Sequence, residues 1–257
     1  MGALELCSAS VVRTGKAILN AASVAAQPGQ FTVFCGPNGA GKSTGLSVLS
    51  GALKADQGYA ALNGQKIQDI PANQLARQRA VVAQQSVLTF PFLVHEVVAM
   101  GRTPHQGRTT LAIDEQIIAH ALGLLDLSHM ADRNYLTLSG GERQRVQIAR
   151  ALAQLWPAGA PAQPQVTGQW LLLDEPTSAL DLKYQIALMR LLKNLARQGW
   201  GVVAVLHDLP LVVQHADHVV MFKDGSITAQ GVPRDVLTPE VIQDTYDLDE
   251  PYLLAAG

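Results

Sequence analysis

The sequence has only two cysteines, Cys7 and Cys35, and their spacing is not that of a metal site. A disulfide framework is thereby excluded and a reducing compartment is expected. Cys35 closes the apolar run Phe31-Thr32-Val33-Phe34-Cys35, where a small buried hydrophobe is the expected role. No stretch of about 18 apolar residues occurs, so the chain is not expected to cross a bilayer by itself. The opening Met1-Gly2-Ala3-Leu4-Glu5 has no basic region followed by an apolar stretch, and no signal peptide is expected. Charge of one sign is lacking too: the formal net charge is −2, which argues against a nucleic-acid binder working through a broad basic field.

Apolar residues are plentiful, at 48% of 257, so a substantial core can be buried. Short apolar runs alternate with helical stretches, the pattern of an α/β fold with a mixed, largely parallel sheet. Strands are expected at 31–35, 80–83, 170–174 and 201–206, and a hairpin at 219–223 and 226–230 around Asp224-Gly225. Helices are expected from near Lys42, over 114–125 and over 142–155. The reading is one domain, residues 1–257. Its α/β core comprises 1–89 and 156–257, and a mostly helical subdomain is inserted at about 90–155. Pro157, Pro161 and Pro164 mark a surface loop between that insertion and the next strand.

Two motifs carry phosphate chemistry. Gly36-Pro37-Asn38-Gly39-Ala40-Gly41-Lys42-Ser43, followed by Thr44, is a full G-x-x-x-x-G-K-[ST] match between a strand and a helix. Its glycines let backbone N–H groups face phosphate oxygens, and the helix N-terminus adds positive partial charge. Lys42 is expected to reach the β- and γ-phosphates of a nucleotide, and Ser43 to ligate Mg²⁺. The run Leu171-Leu172-Leu173-Asp174-Glu175 ends an apolar strand in two carboxylates. Asp174 suits a Mg²⁺ contact and Glu175 the role of general base towards water. Together they give a nucleotide-hydrolysing P-loop protein of unspecified kind.

Leu138-Ser139-Gly140-Gly141-Glu142-Arg143-Gln144 specifies the kind: it resembles the signature sequence of the ABC ATPases, and the resemblance extends over nearly the whole chain. Physically, Ser-Gly-Gly opening a helix is a second anion site. The resemblance implies that Ser139, Gly140 and Gly141 cover the γ-phosphate held by the opposite subunit of a homodimer. It further implies that Gln84 contacts Mg²⁺ and the attacking water, with Gln85 the neighbouring choice. Asp181, in Ser178-Ala179-Leu180-Asp181, falls in the loop that communicates across the dimer, and His207 matches a histidine contacting the γ-phosphate. The family's adenine-stacking aromatic is missing: the equivalent stretch is Val11-Val12-Arg13-Thr14, leaving the Arg13 guanidinium or Val12 to cover the base.

The fold implied is the P-loop NTPase core with the helical subdomain of ABC ATPases, and the ligands implied are ATP and Mg²⁺. A soluble, non-transport ABC ATPase is the alternative of a different class. The absence of a second fused copy and of sustained heptads weighs against it. A stand-alone importer ATPase is therefore expected, peripheral on the cytoplasmic face of the cell membrane. The implied partners are two copies of a membrane permease and a periplasmic or surface substrate-binding protein acting through it. The segment from Phe90 to Arg102 is similar to importers of iron chelates, cobalamin and haem. Thr103-Pro104-His105 and Ala153-Gln154-Leu155-Trp156-Pro157 are most similar to the haem group. His215 and His218 are expected at the surface, and His95-Glu96 lacks the second His of a zinc-protease motif.

Overall fold

The computed structural model of the protein describes residues 2–84, 88–157, 168–250, 252 and 254. The first half contains β1 (Leu4–Arg13), β2 (Lys16–Ala26), β3 (Phe31–Cys35), α1 (Lys42–Leu49), β4 (Gln57–Leu62), β5 (Gln65–Lys66), α2 (Ala72–Gln78) and β6 (Arg79–Val82). Helices follow: α3 (Val94–Ala99), a 3₁₀ helix at Met100–His105, α4 (Leu111–Leu124) and α5 (Gly140–Leu155). The chain then forms β7 (Trp170–Asp174), α6 (Leu182–Arg197), β8 (Gly201–Val205), α7 (Leu209–His215), β9 (His218–Lys223) and β10 (Ser226–Gly231). It closes with α8 (Pro233–Val236) and α9 (Pro239–Tyr246).

Six strands form the main sheet in the order β10-β9-β3-β8-β7-β6, parallel except for the β9–β10 hairpin. Both faces are covered, and the period-2 alternation of a strand divides each run between them. Val33, Cys35, Leu171 and Leu173 join the helices on one side. Phe34, Leu172, Val205 and Phe222 pack with α1 and a second, antiparallel sheet, β2-β1-β4-β5, on the other. Cys35 is fully buried, and burial pushes its thiol up to about 12, so it serves as the small hydrophobe its run suggests.

The expected strands and hairpin are present with ends shifted by a residue or so. Helix α4 starts three residues earlier than expected because Thr110 caps it, its hydroxyl accepting from the Ile113 N–H. The second sheet was not among the expected elements. His215 is buried and His218 half-buried, with both imidazoles pushed down by burial, so the surface expectation for them does not hold. Gln85, Pro161 and Pro164 lie outside the described residues.

Candidate active site

Parallel order is what assembles the site. Strands β3, β8, β7 and β6 lie side by side in one direction, so the loops leaving their C-terminal ends meet along one edge. The phosphate loop leaves β3, His207 lies two residues past β8, Glu175 one past β7, and Gln84 two past β6.

The loop wraps its lysine. Lys42 is buried, and its Nζ donates to the carbonyl oxygens of Gly36 (2.8 Å) and Pro37 (2.7 Å). Burial lowers its pKa, against the pull of the Glu175, Cys35 and Asp174 charges. Gly36 and Gly41 both have positive φ and stand against backbone: a Cβ would meet the Phe222 oxygen at 2.1 Å and the Ile18 oxygen at 2.6 Å, respectively. Gly39, at φ 79°, has open space in front of it. A cavity of about 140 Å³ opens there, lined by Asn38, Gly39, Gly41, Lys42, Ser43 and Thr44 with Ile18 and Glu175. Ala40 is buried instead, its carbonyl accepting from Gly225 N in the hairpin turn.

The acidic side is equally well tied. Ser43 Oγ donates to Asp174 Oδ1 at 2.9 Å. Burial raises the Asp174 pKa, and the Ser43 bond draws it back. Glu175 has a left-handed backbone, φ 48°, with its N–H donating to Val205 O. Its carboxylate is held at both oxygens, by Gln84 Nε2 donating to Oε2 and His207 Nε2 bonded to Oε1, each at 2.8 Å. Lys42, Ser43, Asp174, Glu175, Gln84 and His207 thus form one constellation from four strand ends.

The other expected residues gather elsewhere. Ser139 caps α5 in a reciprocal box: its hydroxyl accepts from Glu142 N, and the Glu142 carboxylate accepts from Ser139 N at 2.7 Å. That backbone bond first, and the Ser139 hydroxyl second, hold the Glu142 carboxyl below its usual range. Gly141 allows close approach of the next loop, since a Cβ would lie 2.8 Å from Ala179 O. Asp181 caps α6 and borders the same cavity of about 520 Å³ as Ser139, Gly140 and Gly141. The signature cavity and the phosphate-loop cavity have no lining residue in common.

Val12 and Arg13 line neither cavity. Arg13 is paired with Asp56 Oδ2 at 3.4 Å, and Val12 is 45% exposed. The apolar side chain at the phosphate-loop cavity is Ile18, which sequence reasoning passed over. Tyr246 was missed too: its phenol oxygen accepts from Gly36 N at 3.2 Å, and burial pushes its pKa up to about 12. Tyr246→Phe keeps the ring but strands a buried N–H, a loss of about 1–3 kcal/mol. It is expected to weaken ATP binding several-fold in a calorimetric titration; unchanged affinity would remove Tyr246 from the site.

Comparison with known proteins gives the family. Residues 19–178 match the ABC transporter family. This chain belongs to the ABC transporter family. It is therefore the ATP-binding, ATP-hydrolysing part of a transporter. A hemin import ATP-binding protein of Gloeobacter violaceus is 44% identical over 95% of this chain and 87% of its own length. One from Pseudomonas aeruginosa is 43% identical over 96% of this chain and 93% of its own. Among solved structures, an inward-facing ABC transporter assigned to the metal-chelate type has 28% identity and a TM-score of 0.77, covering 96% of this chain and 90% of its own. A dimeric bacterial ABC transporter cassette has 27% identity and the same TM-score, covering 90% and 99%. Among the described residues, no helix of this ABC subunit is long and apolar enough to cross a membrane.

Proposed function

We propose that the protein is the ATPase subunit of a bacterial haem importer and works as a homodimer on two copies of a separate membrane permease. The observation that carries the ATPase role is the Glu175 carboxylate, held at both oxygens by Gln84 and His207 beside the phosphate loop. Haem as cargo is supported by the hemin import relatives, similar along nearly the full chain.

Glu175 is the general base, taking the proton of the water that attacks the γ-phosphate. Gln84 and His207 fix its direction, and His207 also meets the γ-phosphate. Lys42 and the backbone N–H groups of Gly39 to Thr44 hold the phosphates. The donor set suits a magnesium ion: Ser43 and Asp174 present oxygen, and Gln84 donates to Glu175 through its nitrogen, its amide oxygen being a further oxygen of the kind magnesium takes. Bound Mg²⁺ would offset the charge that builds on the phosphate oxygens. Such a cation would also favour the ionised form of Asp174 against its burial.

Two separate cavities in one subunit support the dimer. The Ser139-Gly140-Gly141 helix start offers an anion site apart from the chain's own phosphate loop, which suits a nucleotide bound by the opposite copy. ATP stabilises the closed pair because only that state uses both sites, and hydrolysis reopens it. The permease docks near residues 84–105 from the membrane side, with the subunit peripheral on the cytoplasmic face. A substrate-binding protein delivers cargo on the far side.

Uptake in the native host, with Glu175→Gln as the sole copy, tests this reading. Labelled haem, a ferric siderophore and cobalamin are supplied in parallel, and loss of haem uptake alone is expected. Intact haem uptake with loss of another cargo replaces the substrate, and survival of all three overturns the importer reading.

A further inference from the structure

The stretch Gly101-Arg102-Thr103-Pro104-His105 has no part in the nucleotide chemistry, yet it is among the most heavily bonded polar segments of the fold. Its 3₁₀ helix lies directly on the last turn of α5: a Cβ on Gly101 would sit 2.3 Å from Arg150 O and 3.1 Å from Gln154 N. A helix end leaves its final carbonyls without partners. Here Arg102 Nη1 donates to Ala153 O (2.6 Å) and Trp156 O (2.8 Å), while Nε donates to Asp114 Oδ1 at 2.8 Å. His105 Nε2 bonds Gln154 O at 2.8 Å, necessarily as donor because a carbonyl only accepts. Both Arg102 and His105 are buried.

The Gln154 side chain extends the connection in the other direction. Its Nε2 donates to Ala76 O (2.7 Å) and Arg79 O (3.1 Å), at the junction of α2 and β6. Arg77 Nη1 then donates to Pro104 O at 3.1 Å, closing a ring of three chain segments. One segment, β6, leads within two residues of its end to Gln84. Another, α5, runs 16 residues back to Ser139, roughly 24 Å at 1.5 Å per residue. The third is Met100–His105 itself.

We propose that Arg102, His105 and Gln154 are positioning residues forming a largely buried bracket, which ties the Met100–His105 segment to the strand that leads to Gln84 and to the helix that begins at the signature loop. Nucleotide-dependent movement at Gln84 or Ser139 then displaces Met100–His105 as part of the same body. Arg102, His105 and Gln154 together make six hydrogen bonds across these segments, and although Arg102 Nη2 has no partner among the described residues, any relative slip leaves several of the bonded groups unpaired at once. The inference rests on the importer reading only for what meets the outer surface; the bracket itself depends on ATP binding alone.

The test measures hydrogen–deuterium exchange at residues 100–105 and 139–143, with and without ATP. The full chain carries Glu175→Gln so that ATP persists. Arg102→Lys keeps the charge but not the planar fork, and Gln154→Met keeps the length but not the donors. Each variant's ATP affinity and melting temperature are measured alongside. In the parent, ATP is expected to slow exchange in both segments. In each variant the response at 100–105 is expected to fall at least about fivefold, with ATP affinity within about twofold of the parent. A purely structural role would lower the melting temperature and leave the 100–105 response at its parental size, which overturns the bracket. So would a parent in which 100–105 does not respond to ATP although ATP is bound. A parent that fails to bind ATP is a failure of the nucleotide assignment, visible separately in the affinity, and removes this inference with it. If Arg102→Lys does not fold, Gln154→Met alone decides.

Discussion

Replacing Glu175 by glutamine is expected to cut ATP turnover by a factor on the order of 10²–10⁴ while leaving ATP-induced dimerisation intact. Glutamine has the shape of glutamate but no basic oxygen, so the water loses its proton acceptor and little else changes. The two clamps need not break. Gln84 still donates to an amide oxygen, and a neutral His207 with its proton on Nδ1 accepts from the new amide nitrogen. Phosphate release gives the rate, and size-exclusion chromatography with ATP gives the dimer. Parental turnover would show that another group takes the proton. Loss of both hydrolysis and dimerisation would mean the charge of Glu175 matters for assembly.

Lys42→Ala should fail at an earlier step. Lys42 brings a buried positive charge to the loop, and a hydrogen bond to a charged group contributes about 1.5–3 kcal/mol. ATP affinity is therefore expected to fall roughly 10- to 150-fold, with hydrolysis falling in step because little ATP is bound. The substitution also leaves the Gly36 and Pro37 carbonyls without their donor, so a lower melting temperature is expected in the absence of nucleotide. Fluorescent-nucleotide titration separates the two variants: Glu175→Gln binds ATP as the parent does and turns it over slowly, whereas Lys42→Ala binds it weakly. Unchanged ATP affinity in Lys42→Ala would take the phosphate role away from this side chain.

The inner strands of the main sheet were legible because they are buried on both faces and read as nearly continuous apolar runs, Phe31 to Cys35 and Trp170 to Leu173 among them. The antiparallel sheet was not. Strand β1 (Leu-Glu-Leu-Cys-Ser-Ala-Ser-Val-Val-Arg) alternates only up to Ser8, whose positive φ breaks the period; its pairing with β2 shifts register three times. Strand β2 is largely small residues, five alanines in eleven, which carry weak strand preference. The constellation of Lys42, Asp174, Glu175, Gln84 and His207 was readable because each residue follows a recognisable strand. Tyr246 lies 210 residues from Gly36 in the chain, and no local pattern marks a phenol that accepts from a distant backbone N–H. The replacement for the missing aromatic was sought at Val12 and Arg13. Bulges around Ala9 and Val11 carry that end of β1 away, and Ile18 on the paired strand lines the cavity instead.

The left-handed backbone at Glu175 has a consequence for how this protein can change. An L residue with a Cβ is disfavoured in that conformation by about 1–2 kcal/mol relative to the right-handed one, and glycine or asparagine would sit there more comfortably. Position 175 is thus a point where heat tolerance and turnover pull in opposite directions. A laboratory selection that rewards only a longer-lived fold will tend to discard the carboxylate, and its survivors will be robust nucleotide binders that no longer cycle. Redesign for hardiness should hold residue 175 fixed and look for its gains in the antiparallel sheet, where Ser8 and Ala21 have the same backbone conformation and sit outside both cavities.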